Sequence, residues 1–246
     1  MVHLKVNSFK TRYAEVSADS ISSVGLACGE FVAIDDDLPI YLANSQYVSS
    51  SMLRKNFLRR NTGIRNVEPY SDSGALFHNL ALQTSDRIEC QCLSSKYKKF
   101  SAQKNVSSNN LLNALDQLRT WHDGIFYDWV DEGTLERSLY WRDEIGVRWK
   151  ARPDLVTSGA IVELKTFSGR NQKRFLKHPQ RQGYLIQAGL YLHAYQELFD
   201  QELDFIFICV DLNPPFKIQA NSLTCDERKR ALDLVDLAKK AYLCLP

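Results

Sequence analysis

Ala151-Arg152-Pro153-Asp154-Leu155-Val156-Thr157-Ser158-Gly159-Ala160-Ile161-Val162-Glu163-Leu164-Lys165-Thr166 is the stretch that decides the fold of this 246-residue chain. An acidic residue after proline is followed, past a turn, by Glu-x-Lys inside an apolar, strand-like run. Side chains alternate along a strand, so Ile161, Glu163 and Lys165 share one face, and Val162, Leu164 and Thr166 the other. Two charges on an otherwise buried strand cost free energy unless something compensates them. A divalent metal, a water and a phosphate would do so, which points to metal-dependent phosphodiester chemistry.

Glu-x-Lys alone carries little weight. It recurs as Glu227-Arg228-Lys229 at the start of a predicted surface helix. Context separates the two copies. Downstream of Lys165, the run Tyr184-Leu185-Ile186-Gln187-Ala188-Gly189-Leu190-Tyr191 reads as helix. Gln187 and Tyr191 are four apart and lie on one face. By themselves they would be a polar stripe; beside the strand motif they become site candidates. Phosphodiester hydrolysis calls for Mg²⁺ or Mn²⁺ to neutralise phosphate and lower the pKa of a bound water. Mg²⁺ takes oxygen ligands, often one or two carboxylates plus waters. Asp154 and Glu163 supply the carboxylates and the Leu164 carbonyl is a third candidate ligand. Lys165, on the face of Glu163, would orient the attacking hydroxide and offset phosphate charge.

Further outward, the period of the apolar residues changes. Glu30 to Ile34 reads as a strand, followed by an acidic turn at Asp35–Pro39. Ser49-Ser50-Ser51 caps a short basic helix, Met52 to Arg60. Helices are expected over 74–83 and from 111 to 118, with polar loops over 61–72 and 96–110. Strands are expected over 135–141, 145–150, 161–167 and 205–210. Helices are expected over 181–199 and, opened by the capping-box pattern Thr224-Cys225-Asp226-Glu227, to about 243. Strands interleaved with helices indicate an α/β fold: one domain with a central mixed β-sheet flanked by helices. Residues 36–246 form that domain, and residues 1–35 an N-terminal elaboration.

A net charge of +2 hides an uneven distribution. Ser51 to Val67 holds Arg54, Lys55, Arg59, Arg60 and Arg65 and no acid; Arg148 to Arg181 is strongly basic too. Such patches are either solvated faces or a polyanion footprint around a site. Lys173, Arg174, Lys177 and Arg181 could hold duplex phosphates without reading sequence. Ser50, Ser51 and Arg54, at a helix N-terminus, either receive a terminal 5′-phosphate or are plain helix caps. The six cysteines are scattered and lack the Cys-x-x-Cys pairs of a zinc site, which suits free thiols in a reducing cytoplasm. No apolar run approaches a membrane span, and the start, Met1 to Lys5, has no signal-peptide core.

The series Arg152-Pro153-Asp154, Glu163-x-Lys165-Thr166 and Gln187-x-x-x-Tyr191 resembles the PD-(D/E)xK nuclease superfamily, in its RecB-like branch. That branch also has an upstream helical histidine that can contact a metal. His78, in Gly74-Ala75-Leu76-Phe77-His78, fits that place, although a lone histidine on a half-apolar helix is ordinarily structural. Val48 to Leu53, Gly74 to His78, Leu135 to Trp141 and Trp149 to Asp154 are further similar to the exodeoxyribonuclease VIII (RecE) catalytic domain. The resemblance implies a restriction-endonuclease-like core and Mg²⁺-dependent 5′→3′ exonuclease activity on linear double-stranded DNA. It also implies a ring-like homo-oligomer and 3′ overhangs passed to a phage-type single-strand annealing protein of the RecT or Red-beta type. The setting would be DNA recombination in the cytoplasm of a bacterial or phage-infected cell. Glu136, beside the core, is a further acidic candidate. A repair, structure-specific or restriction-like endonuclease would share the same site residues. A non-catalytic DNA-binding module would keep the fold, but the intact Asp154, Glu163 and Lys165 set weighs against it.

Overall fold

A computed structural model describes residues 26–35, 38–62, 72–82, 108–167 and 182–244. Its centre is the predicted strand, β6 (Ala160–Phe167), paired in parallel with β7 (Asp204–Asp211) from Ala160 opposite Asp204 to Phe167 opposite Asp211. A parallel pair needs a crossover, and the helix that provides it is α6 (Gln182–Phe199). β8 (Ile218–Ser222) pairs antiparallel with β7 on one side. β5 (Leu155–Val156) and then β2 (Thr134–Leu135) extend the sheet antiparallel beyond β6 on the other. The order β2-β5-β6-β7-β8 is the expected central mixed sheet. A second, antiparallel sheet has the order β1-β3-β4, made of β1 (Phe31–Ile34), β3 (Ser138–Arg142) and β4 (Arg148–Ala151).

The two faces of β6 build two different cores. Ile161, with Phe205, Phe207 and Cys209 of β7, packs under α6. α6 is apolar nearly all round, as a helix enclosed on every side must be. Its outer side meets α2 (Ser50–Thr62), α7 (Cys225–Leu243) and the small sheet. On the opposite face Val162, Leu164, Ile208 and Val210 pack against α3 (Asp72–Ala81), α4 (Ser108–Thr120) and α5 (Ile125–Glu132). Among the described residues no helix is long and apolar enough to cross a membrane.

Differences from the sequence reading are local. Of the expected acidic turn, Asp36 and Asp37 lie outside the described residues, and Leu38 and Pro39 open a helix, α1 (Leu38–Ala43), whose final carbonyls are met by a buried lysine. Lys150 Nζ donates to Tyr41 O at 2.6 Å and Asn44 O at 2.9 Å. The expected strand over 145–150 is half hairpin turn, with β4 starting only at Arg148. Of the expected loop over 96–110, residues 96–107 lie outside the described residues and 108–110 belong to α4. α5 went unread because His122, Asp123 and Gly124, at φ of 46°, 58° and 90°, break the chain away from α4. The capping box of α7 is present: Glu227 N donates to Thr224 Oγ1 at 3.2 Å and Thr224 N to Glu227 Oε2 at 2.9 Å. Cys209 is buried, and Cys28, Cys225 and Cys244 are exposed, all as free thiols. Cys90 and Cys92 lie outside the described residues.

α6 and α7 cross at Gly189, where a Cβ would run into the carbonyl of Ala231. Backbone cannot yield as a side-chain tip can, so this glycine sets the closeness of the two helices. Gly189→Ala is expected to destabilise the fold by at least about 2 kcal/mol, as overpacking does. A urea midpoint equal to that of the native protein would refute this account of the crossing.

Candidate active site

β5 accompanies β6 only through Leu155 opposite Val162 and Val156 opposite Ile161. Among the described residues no strand pairs with that edge of β6 beyond Val162. Asp154 fills part of the gap: Leu164 N donates to Asp154 Oδ2 at 2.8 Å. A residue's N–H and C=O lie on the same edge of a strand, so the Leu164 carbonyl faces this edge too. The segment carrying Asp154 is held from two further sides. Glu136 N donates to Asp154 O at 3.0 Å, and the Tyr191 hydroxyl donates to Arg152 O at 3.2 Å. From α3, His78 Nδ1 lies 3.4 Å from Asp154 Oδ2.

Glu163 is 1% exposed. Its Oε1 accepts from Lys165 Nζ at 2.7 Å and from Gln187 Nε2 at 2.6 Å. Gln187 Nε2 also lies 3.2 Å from the Tyr191 hydroxyl oxygen. The two polar residues of α6 therefore do separate tasks: Gln187 orients Glu163, and Tyr191 ties the helix to the Arg152–Asp154 segment. Glu163 Oε2 is buried without a hydrogen-bond partner among the described residues. An orphaned buried carboxylate oxygen is costly and calls for a cation or a proton.

Burial pushes the Glu163 carboxyl up to about 7, reinforced by the negative charge of Asp154 and only partly offset by Lys165 and His78. Burial opposes ionisation of Asp154 too, but His78, Lys165 and the Leu164 N–H outweigh it and hold this carboxyl below its usual range. Burial likewise works against a charged His78, yet Asp154 overcomes it and raises the imidazole above its ordinary value. Two neighbouring carboxyls thus differ in charge near neutrality. Burial also raises the Glu136 carboxyl, against Arg152, whose Nη2 is 3.7 Å away. Glu136 sits at φ 44°, a left-handed backbone that few non-glycine residues adopt.

The donors fit a hard divalent cation: two carboxylates, one with an unused oxygen, and a carbonyl on the same open edge, with water completing the sphere. Among the described residues no three His, Cys, Asp or Glu side chains form a group that could hold a metal ion by themselves, so the Leu164 carbonyl and water would have to complete any sphere.

The fold brings His78, Asp154, Glu163, Leu164, Lys165, Gln187 and Tyr191 together. Ser50 and Ser51 open α2, but the cap is Ser49, whose Oγ accepts from Met52 N at 3.4 Å. Arg54 crosses the first turn of α6, where a Cβ on Gly183 would run into its Cγ and Cδ. Lys173, Arg174, Lys177 and Arg181 lie outside the described residues. Tyr184, whose ring faces Lys165 across 5.2 Å, was not singled out in the sequence. Its spacing, three before Gln187 and seven before Tyr191, is the signal that would have found it.

A family model described as a PDDEXK-like domain of unknown function (DUF3799) matches residues 72–242. The chain belongs to that family. The matched PDDEXK-like region runs from α3, which carries His78, to the end of α7, and so encloses the whole site. A solved structure from Eubacterium rectale, provisionally named an exonuclease, shares the fold with a TM-score of 0.57 at 18% identity. The alignment covers 85% of this chain and 86% of that one. A second solved structure aligns over 80% of this chain and 87% of the other at 16% identity, but its TM-score of 0.32 supports no argument. No curated protein sequence matches the chain.

The raised Glu163 carboxyl makes the metal-free PDDEXK-like domain sensitive to pH. Its folded value of about 7 exceeds the ordinary 4.5. Its contribution to stability is therefore complete below the ordinary value and is lost as pH rises through about 7. In EDTA, thermal denaturation is expected at lower temperature at pH 8 than at pH 5.5, with the difference reduced in Glu163→Gln. Mn²⁺ affinity, which needs the ionised carboxylate, is expected to rise over the same window in calorimetry. Equal pH slopes for the native protein and Glu163→Gln would refute the assignment.

Proposed function

We propose that this protein is a metal-dependent DNA exonuclease of the RecE-like kind. It would act 5′→3′ on linear double-stranded DNA and leave 3′ overhangs. The observation that carries the reading is the convergence of Asp154, Glu163 and Lys165 on the open edge of β6, with one buried carboxylate oxygen unpartnered. The similarity of several segments to the RecE catalytic domain gives the finer assignment, including a ring-like homo-oligomer and an annealing-protein partner of the RecT or Red-beta type.

Asp154, Glu163 and the Leu164 carbonyl would hold Mg²⁺ or Mn²⁺, with His78 assisting beside Asp154. The bound ion would neutralise phosphate charge and acidify a water. Every other contribution comes from the chain. Lys165 offsets charge on the phosphate and directs the attacking water from the Glu163 side. Gln187 keeps Glu163 in one orientation, so the carboxylate does not have to reorganise on substrate binding. Asp154, already ionised, presents a fixed negative charge. Arg54, together with Ser50, Ser51 and the basic residues Lys173, Arg174, Lys177 and Arg181, would hold backbone phosphates, an arrangement indifferent to sequence.

The test compares linear 5′-phosphorylated duplex with covalently closed circular duplex, in Mg²⁺ and in EDTA. Mg²⁺-dependent loss of the linear DNA alone is expected, with the 5′ label released first. Cutting of the circle would replace this reading with an endonuclease, and binding without cleavage would leave a DNA-binding module. Lys165→Ala is expected to lower kcat by at least about 100-fold while the protein still folds, as shown by a cooperative melt, and still binds duplex. Normal cleavage by folded Lys165→Ala protein would refute the mechanism.

A further inference from the structure

Lys165 has to act from a site where its side chain is only 10% exposed. Its ammonium meets Glu163 Oε1 at 2.7 Å on one flank. An ammonium on a four-carbon stem is a mobile point charge whose direction is set by what surrounds it. The other flank is aromatic. Lys165 Nζ lies 5.2 Å from the ring centroid of Tyr184, within the range at which a ring face attracts a cation. The ring is itself braced. It leans on Phe207 with centroids 5.8 Å apart and planes inclined by 35°. Phe207 is fully buried and stands in register with Glu163. Tyr184 is half-buried at the first turn of α6, on the helix face that also carries Gln187 and Tyr191.

We propose that Tyr184 is the positioning residue of Lys165: its ring face holds the ammonium against Glu163, aimed at the open edge of β6. This rests on the reading of Lys165 as the group that directs water and offsets phosphate charge. On this account the ring face, rather than the phenolic hydroxyl, holds the ammonium. One helix face then fixes the charged pair from both sides, Gln187 through Glu163 and Tyr184 through Lys165.

The experiment compares Tyr184→Phe, which keeps the ring, with Tyr184→Leu and Tyr184→Met, which remove it but stay apolar. Thermal melts establish that each variant is folded, and either ringless variant suffices. On linear duplex with Mg²⁺, kcat is expected to fall about 10-fold in Tyr184→Leu and Tyr184→Met. KM should stay within about twofold, and Tyr184→Phe should restore native kcat. Independently of activity, the rate at which acetic anhydride acetylates Lys165 in metal-free protein is followed by mass spectrometry. It is expected to rise several-fold in the ringless variants and to stay native in Tyr184→Phe. Native kcat and native acetylation in the ringless variants would overturn the proposal, as would a Tyr184→Phe protein as impaired as Tyr184→Leu. If the native protein cleaves no DNA, the functional reading fails, and the acetylation rates still decide whether Tyr184 holds Lys165.

Discussion

The structure depends on a carboxylate and an ammonium, Glu163 and Lys165, placed on the covered face of a central strand. Ionised groups in that position cost several kcal/mol each unless their hydrogen bonds are met and their charges balanced. Lys165 balances Glu163, and Gln187 supplies a second donor to the same oxygen. The remaining oxygen of Glu163 has no hydrogen-bond partner among the described residues. Burial, reinforced by the charge of Asp154, raises the Glu163 carboxyl to about 7 in the metal-free protein. An arrangement optimised for stability alone would have used two apolar residues here.

The rest of the architecture serves to hold that imbalance in place. Two separate cores clamp β6 from opposite faces, so the strand cannot tilt to expose its charges. β5 is only two residues long, which leaves the edge beside Leu164 open for Asp154. The Asp154 segment is anchored at three points, through Glu136, Leu164 and Tyr191. α6 can place Gln187 and Tyr191 this close because Gly189 lets α7 press on the helix from behind. Positions far from the open edge thus control distances within it.

Asp154 and Glu163 show how environment assigns different tasks to similar groups. Both are buried, yet Asp154 has His78 and a backbone N–H to stabilise its charge, whereas Glu163 must face the charge of Asp154. The first is therefore a permanent anion near neutrality and the second is poised between states. A cation arriving at the open edge would find one ready ligand and release a proton from the other.

Much of this was legible in the chain, because local periodicity survives into any tertiary setting. Alternation along Ile161 to Thr166 put Glu163 and Lys165 on one face, and helical spacing put Gln187 beside Tyr191. The capping pattern at Thr224 opened α7 where expected. Short elements left no period to read: two-residue β5, edge strand β8, and α5, cut from α4 by three left-handed residues. The two separate sheets were also beyond reach, since pairing of β1 with β3 joins residues about a hundred positions apart. By itself, the sequence determined which polar and charged residues share a face of a strand or helix, since that follows from residue type and spacing. Only the tertiary structure decided their partners: the amide of Gln187 on Glu163, the ring of Tyr184 on Lys165, and Asp154 on the open edge of β6. Such contacts depend on how distant elements cross and on where a strand stops, neither of which is encoded in local spacing.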